Sequence, residues 1–235
     1  IKNPGEFVFV FVGSFKLDSI KPVIEKYIGG IPSQNRNEQR FDLGIKTPDG
    51  KISKEIYKGK EPKSAVQLIW NGEIPFTRRN RFESNALSSL LNIKLRENLR
   101  EDKSGVYGIR IGGSLDDFPK GTFRYTCSFG CAPDRVKDLI SEVKKEIEKV
   151  KSEGCSEENL KKIKENFIKE REVQLKENNF WLTYILNADM YNEKLSDLDL
   201  YNSWVNELKS DDFKRLAKYY FDNEKVKEYV LYPEK

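Results

Sequence analysis

Leu99-Arg100-Glu101-Asp102-Lys103-Ser104-Gly105-Val106-Tyr107-Gly108 is the stretch that decides the fold, because it joins a long apolar helix to a strand. Upstream of it, apolar residues recur at spacings of three and four along two adjacent rows of the predicted helix. One row holds Phe82, Ala86, Leu90 and Ile93, and the next holds Leu87, Leu91, Leu95 and Leu99. Two adjacent rows make a wide apolar face, which predicts a central, buried helix.

The residues Asp-Lys-Ser-Gly inside this stretch break the helical spacing and predict a turn. Beyond the turn, Val106–Gly113 alternates in the manner of a strand, with Tyr107, Ile109 and Ile111 predicted on one face. Arg100 is therefore expected at a helix end and Tyr107 at a strand start. A connection of this kind can aim a guanidinium and a phenol at one point in space.

The composition predicts one large domain or two small ones, because 235 residues with 37% hydrophobic residues supply ample material for a core. No apolar run approaches the roughly 20 residues that a membrane-spanning helix needs. The formal net charge is only +4, and basic and acidic residues are interleaved, which disfavours a nucleic-acid-binding module. Because the first residue is Ile, we expect an excised piece or a processed product.

Histidine is absent from the sequence, which removes the commonest general base and zinc ligand and every Ser-His or Cys-His arrangement. The three cysteines, Cys127, Cys131 and Cys155, are an odd number and include no Cys-x-x-Cys pair. Neither a disulfide framework nor a zinc site is expected from them. Cys127 lies on the apolar face of a predicted strand and is expected to be a buried small hydrophobe.

The opening segment Phe7–Val12, Phe-Val-Phe-Val-Phe-Val, is apolar throughout and predicts an interior strand covered on both faces. Residues 20–28 follow with helical spacing, and Gly29 and Gly30 end the predicted helix. Residues 33–50 are polar and predict an exposed connection.

Four further strands and several helices complete the predicted fold. The strands are Ile52–Tyr57, Ala65–Trp70, Thr122–Gly130 and Val226–Tyr232, and helices are expected from Thr77, Pro133 and Ser156 and over 180–191, 198–208 and 211–221. This order predicts an α+β fold with an antiparallel or mixed sheet packed by helices mainly on one face. We expect residues 1–235 to form a single domain. Its core should include Phe7, Phe9, Phe11, Leu87, Leu90, Leu91 and Phe123.

The helix–turn–strand connection resembles the C-terminal half of the pitrilysin/insulinase family of zinc metallopeptidases. In that family an Arg ends a long helix, a Gly-containing turn follows, and a Tyr seven residues later opens a strand. Arg100 and Tyr107 have this spacing, with Glu101 and Gly105 between them. The order of elements over most of the chain is also similar to the family's C-terminal module, including the Gly154-to-Ser156 break before an acidic helix start.

The resemblance implies the substrate-binding, non-catalytic half of a zinc metalloendopeptidase that encloses and cleaves peptides. The family's zinc motif, H-x-x-E-H, supplies two zinc ligands and the general base, and it belongs to the N-terminal half. A partner half would therefore hold the zinc, while Arg100 and Tyr107 would contact the peptide near the metal. This chain alone would be inactive. Bacterial relatives suggest the periplasm or envelope, whereas free cysteines favour a reducing compartment such as the cytoplasm.

Two alternatives to this role stay open from the sequence. Arg100 could pair with Glu97, Glu101 or the carbonyls at the helix end, and Tyr107 could be a core residue. The whole chain could instead be an inactive assembly or core subunit with the same fold and no peptidase role. An H-x-x-E-H half encoded upstream, in the same chain or in a neighbouring gene, would favour the peptidase.

Overall fold

The computed structural model describes residues 3–34, 38–100 and 106–234, and the side chains of Leu99, Arg100 and Tyr107 lie outside that description. Seven α-helices and five strands occupy the described ranges. The helices are α1 Leu17–Ile24, α2 Arg78–Arg100, α3 Val136–Glu153, α4 Glu157–Gln174, α5 Asn178–Met190, α6 Leu200–Glu207 and α7 Ser210–Tyr220. The strands are β1 Ile52–Tyr57, β2 Ser64–Glu73, β3 Val106–Asp116, β4 Thr122–Cys131 and β5 Lys227–Tyr232.

The chain divides into two compact units. One unit contains 1–41 and 166–206, and the other contains 42–165 and 207–235. The larger unit holds all five described strands together with α2, α3 and α7. That residues 1–235 fold as one cooperative domain stays a prediction.

The sheet of the larger unit has the strand order β1-β5-β2-β4-β3. β5 and β1 run parallel, and every other neighbouring pair is antiparallel, so the sheet is mixed, as predicted. Along β2 and β4, buried and more exposed residues alternate strictly over most of their length. One face of the sheet is therefore buried, and the other face, which we call the open face, is more exposed along these two strands.

The buried face is covered by α2, α3 and α7, which confirms the α+β class and the placement of helices on one face in this unit. Leu87, Leu90 and Leu91 of α2 are fully buried, and Phe123 of β4 is buried with them, as the sequence predicts. Aromatic residues fill the centre of this core, where Trp70, Tyr125, Tyr220 and Phe221 pack edge-on or tilted. Such contacts contribute beyond their buried area.

The predicted interior strand Phe7–Val12 is wrong, because the structure places this segment in irregular chain that is not part of the sheet. Phe7 is 57% exposed and Val8 is 53% exposed, and Phe9 and Phe11 are also exposed rather than core residues. The physical reason is that a strand needs a neighbouring backbone with which to pair. Among the described residues, no strand pairs with this segment. An apolar run indicates which residues gain by burial, but it does not supply the covering element.

The smaller unit is held by aromatic contacts around α4, α5 and α6. The Arg171 guanidinium lies 3.6 Å from the ring centre of Tyr201 and 4.9 Å from that of Phe180. The Trp181 indole donates to the Leu175 carbonyl over 2.9 Å, and the Tyr184 hydroxyl donates to the Leu195 carbonyl over 2.9 Å. No helix in the described part of the chain is long and apolar enough to cross a membrane.

A polar row on α2 fixes this helix against the sheet. The Asn92 side-chain amide donates to the Ile111 carbonyl over 2.6 Å and accepts from the Ile111 N–H over 3.0 Å. One turn earlier, the Ser88 hydroxyl accepts from the Gly113 N–H over 3.2 Å. Because β3 is an edge strand of the sheet, these side chains satisfy backbone groups that none of the described strands reaches.

The same row continues to Ser84, which contacts Tyr125 of β4. The Ser84 and Tyr125 hydroxyls are 2.8 Å apart, and the Tyr125 hydroxyl donates to the Ser84 carbonyl over 2.9 Å. A Cβ at Gly113 would lie 2.5 Å from the Ser84 oxygen and 2.6 Å from the Tyr125 ring. Glycine is therefore required at this position by packing.

The N-terminal end of α2 is tied to α7 by a buried carboxylate. Glu83 accepts from the Arg79 Nε over 2.8 Å and from an Arg215 terminal nitrogen over 2.9 Å. Thr77 begins the helix by accepting from the Asn80 N–H over 3.1 Å, as its predicted helix start requires. The helix that carries Arg100 at its end is thus held at its N-terminal end by Glu83 and further along by Asn92.

We expect Phe213→Ala to lower the free energy of unfolding by about 3–5 kcal/mol, because this side chain is fully buried. The matched variant Phe7→Ala should change the free energy by no more than about 0.5 kcal/mol, because Phe7 is exposed. Urea unfolding followed by tryptophan fluorescence measures both values. If both variants lost the same free energy of unfolding, Phe7 would be a core residue, and the structure would be contradicted.

We expect Asn92→Ala to cost about 2–4 kcal/mol, because it leaves both backbone groups of Ile111 without their partner. Asn92→Asp should cost at least as much at neutral pH, since a carboxylate cannot donate to the Ser88 and Ile111 carbonyls. The difference in free energy of unfolding between Asn92→Asp and Asn92→Ala should shrink as the pH falls and the carboxyl is protonated. Asn85→Ala, at an exposed position of the same helix, is the control and should be nearly neutral. A neutral Asn92→Ala would show that the polar row does not fix α2.

Candidate functional site

The helix–turn–strand connection lies where the sequence predicts it. Arg100 is the last residue of α2, and Tyr107 is the second residue of β3. The predicted turn over 102–105 lies outside the described residues. The structure therefore places the two backbones at the ends of adjoining elements, while the contact of the Arg100 and Tyr107 side chains stays a prediction.

A β-bulge at Gly108 changes the predicted alternation of β3. Tyr107 pairs with Gly130 and Arg110 pairs with Ser128, so two residues of β3 stand opposite one residue of β4. Gly108 has a φ of +64°, which glycine adopts without the steric cost that other residues meet. The prediction that Tyr107 shares one strictly alternating row with Ile109 and Ile111 is therefore wrong, because the pairing register shifts between them.

The open face of the sheet carries a groove beside this bulge, which we call the open-face groove. It is lined by Ile56, Ala65, Gln67, Ser128, Tyr229 and Leu231, and it has a volume of about 510 Å³. Gly108 and Gly130 complete its floor, so the residue that pairs with Tyr107 belongs to the groove. The groove crosses all five strands of the sheet.

Two rows of paired residues form the groove. Ile56, Leu231, Ala65 and Gly130 stand side by side in one row, which runs from an apolar wall to a low floor. The next row contains Lys54, Tyr229, Gln67, Ser128 and Arg110 in spatial order. This second row offers hydrogen-bonding groups along its middle and a cation at each end.

The charges of the open face are distributed unevenly along the strands. Lys54 and Arg110 are exposed, and within the described ranges neither forms a salt bridge. Lys227 lies on β5 two residues before Tyr229 of the polar row. It is buried and donates to the Asn71 side-chain oxygen over 2.5 Å. Burial lowers the pKa of Lys227, and nearby Asp49 opposes that shift. Glu73 lies at the opposite end of β2 and is paired with Lys120.

The residues of this chain do not fit a zinc site. Histidine is absent, and the described residues contain no group of three histidine, cysteine or acidic side chains placed to hold a metal. Cys127, Cys131 and Cys155 are free and buried. Burial raises the pKa of Cys127 to about 12 and that of Cys155 to about 11, so these thiols are protonated at neutral pH. Zinc binds the thiolate, not the thiol.

Sequence reasoning missed the polar row of α2 and the open-face groove. A signal for the first was present, because Ser84, Ser88 and Asn92 recur every four residues inside an otherwise apolar helix. For the groove, the sequence shows a small residue in each of two predicted strands, Ala65 in one and Gly130 in the other. Their adjacency depends on the pairing of β2 with β4, which periodicity alone does not give.

Curated relatives with sequence similarity are named as zinc proteases. The chain is 25% identical over 163 residues to a probable zinc protease PqqL from Haemophilus influenzae, covering 69% of this chain and 17% of that protein. It is 28% identical over 203 residues to a zinc protease PQQL-like protein from Arabidopsis thaliana, covering 80% of this chain and 21% of that protein. The chain thus spans about a fifth of the length of these relatives.

Solved structures share the fold of this chain. The periplasmic protease PqqL from Escherichia coli superposes with a TM-score of 0.78 at 19% identity, over 94% of this chain and 25% of that one. A peptidase M16 inactive domain from Pseudomonas fluorescens superposes with a TM-score of 0.73 at 12% identity, over 94% of this chain and 52% of that one. The sequence pattern of the family described as the peptidase M16 inactive domain matches residues 1–167. The chain therefore belongs to the peptidase M16 inactive-domain family.

Proposed function

We propose that this chain is the substrate-binding, non-catalytic half of a zinc-dependent endopeptidase. Its membership of the inactive-domain family is the observation that carries the proposal. The absence of histidine agrees with it, because a zinc peptidase half needs ligands and a general base that this sequence lacks. The zinc and the general base would come from a partner half in the same chain or in a separate subunit.

Arg100 and Tyr107 are the residues that we propose to contact the peptide. An Arg keeps its charge and offers five donors, so it can hold peptide carbonyls or a carboxylate. A Tyr hydroxyl can donate to a carbonyl oxygen that gains negative charge during the reaction. The support for this assignment is the backbone position of both residues at the ends of α2 and β3, and the fixed packing of α2 through Asn92.

The bacterial periplasm is the compartment that we propose, and the similarity to the periplasmic protease PqqL supports it. The same similarity supports a peptide as the substrate, because that protein is a protease. The chain covers about a quarter of PqqL, so the proposed enzyme needs further modules to enclose its substrate.

Arg100→Ala should lower kcat/KM by about 10- to 150-fold in the two-half enzyme. A charge-assisted hydrogen bond contributes about 1.5–3 kcal/mol, and each 1.4 kcal/mol or so corresponds to a factor of ten. Steady-state cleavage of a fluorogenic peptide measures the loss. Arg96→Ala, one turn earlier at an exposed position of the same helix, is the matched control and should be close to wild type.

Tyr107→Phe keeps the ring and removes only the hydroxyl, so it separates packing from hydrogen bonding. If the hydroxyl meets the developing oxyanion, kcat should fall more than KM rises, while the melting temperature stays nearly constant. Tyr27→Phe at an exposed position is the control. Wild-type kinetics in both the Arg100 and the Tyr107 variants would reject the contact role and favour the inactive assembly subunit. A large loss of stability in Tyr107→Phe would favour a core tyrosine.

The 235-residue chain alone should bind no stoichiometric zinc and cleave no peptide. The reason is chemical, because it has no histidine and its three thiols are buried, and burial raises the pKa of each thiol. Metal analysis of the purified chain after dialysis against a weak chelator tests this. One tightly held zinc per molecule would contradict the assignment of the metal to a partner half.

A further inference from the structure

We propose that the open-face groove binds an extended segment of the peptide substrate that carries apolar side chains between two acidic residues. This inference rests on the proposed function, since it extends the peptide path away from Arg100 and Tyr107. The groove is the place where such a path could continue, because Tyr107 pairs with Gly130 and Gly130 forms part of the floor.

The floor of the groove is low because its residues are small. Ala65 stands between Leu231 and Gly130, and Gly108 lies beyond on β3. A Cβ added at Gly108 would meet no heavy atom of the described residues within 4 Å, so these residues leave the space above this backbone open. A peptide can therefore approach the sheet closely at these positions, as it could not over a row of large side chains.

The apolar wall gives the groove a preference for apolar side chains. Ile56 of β1 is 47% exposed and Leu231 of β5 is 40% exposed, and the two stand side by side. Burying such surface against an apolar side chain of a ligand is favourable. The wall lies at the β1 end of the groove, whereas the small floor extends toward β3.

The polar row gives the groove partners for a peptide backbone. Gln67 carries both donors and an acceptor, and the hydroxyls of Ser128 and Tyr229 can each donate or accept. These three residues are adjacent across β5, β2 and β4. A peptide lying on the face of the sheet can therefore exchange its water contacts for side-chain hydrogen bonds.

The two cations at the ends of the polar row select the charge of the ligand. Lys54 lies on β1 and Arg110 on β3, which are the two edge strands. Four strand spacings of about 4.8 Å separate them, or roughly 19 Å. An extended chain covers that distance in about six residues at roughly 3.4 Å each. Acidic residues six positions apart, which point to the same side of an extended chain, would meet both cations.

Binding of a fluorescein-labelled heptapeptide, Glu-Ser-Leu-Ser-Leu-Ser-Glu, to the 235-residue chain tests the proposal by fluorescence anisotropy. The wild-type chain should bind it, and a matched peptide with Lys in place of both Glu residues should bind about tenfold more weakly or not at all. Ala65→Tyr should weaken binding of the acidic peptide by about tenfold or more, because the new ring fills the floor. The double variant Lys54→Glu, Arg110→Glu should weaken it by about 5- to 20-fold.

Ser114→Tyr is the matched control, because Ser114 is exposed on the same face but pairs with Arg124 outside the groove. It should bind like wild type, and circular dichroism should show the same fold in every variant. Equal binding of the two peptides, unchanged binding by Ala65→Tyr, or no binding by the folded wild-type chain would each overturn the proposal.

The two-half enzyme separates a failure of this inference from a failure of the proposed function. If groove variants bind the acidic peptide like wild type while Arg100→Ala still slows cleavage, only the groove assignment is wrong. If Ala65→Tyr abolishes binding while the Arg100 and Tyr107 variants cleave normally, the groove binds peptide but the proposed substrate-contact role is wrong.

Discussion

The side-chain amide of Asn92 satisfies both backbone groups of Ile111, and this contact joins α2 to the edge strand β3 of the sheet. Strand β3 is an edge, so its outward N–H and carbonyl groups would otherwise face water or another chain. Ser88 extends the same protection to Gly113. These hydrogen bonds oppose rotation of α2 about its axis and sliding of α2 along β3, because the backbone atoms that they contact belong to the sheet.

This closed edge has a consequence for the way in which a peptide can bind. Addition of a peptide strand to β3 would compete with Asn92 and Ser88 for the backbone groups of Ile111 and Gly113. The open-face groove lies on the face of the sheet opposite α2, and Ala65 and Gln67 are exposed there. The geometry therefore favours side-chain contacts on the open face over strand addition at this edge.

Much of the larger unit could be predicted from sequence because its elements have strong local signals. Thr122–Gly130 alternates without a break, and the observed strand differs from it by one residue. Thr77 and Ser156 accept from backbone N–H groups at the starts of α2 and α4, as capping residues do. In each case the pattern and the structure agree because the pattern depends only on residues that are close together in the chain.

The failures of sequence reasoning share a different cause, which is dependence on residues far away in the chain. Phe7–Val12 has the composition of a buried strand, yet burial requires a covering element that local composition cannot specify. The bulge at Gly108 is likewise invisible to alternation, because it is defined by the pairing of Tyr107 with Gly130 and of Arg110 with Ser128. Register is a property of two strands, and periodicity describes only one.

The bulge also determines which row of the sheet Tyr107 joins. Beyond it, Ile109 and Ile111 are buried under α2. Before it, the register places Tyr107 beside Gly130, in the row that forms the floor of the groove. A regular strand would have kept Tyr107 in step with the two isoleucines. One extra residue, accommodated by the positive φ of Gly108, therefore moves Tyr107 out of the row of the two isoleucines and into the row of Gly130.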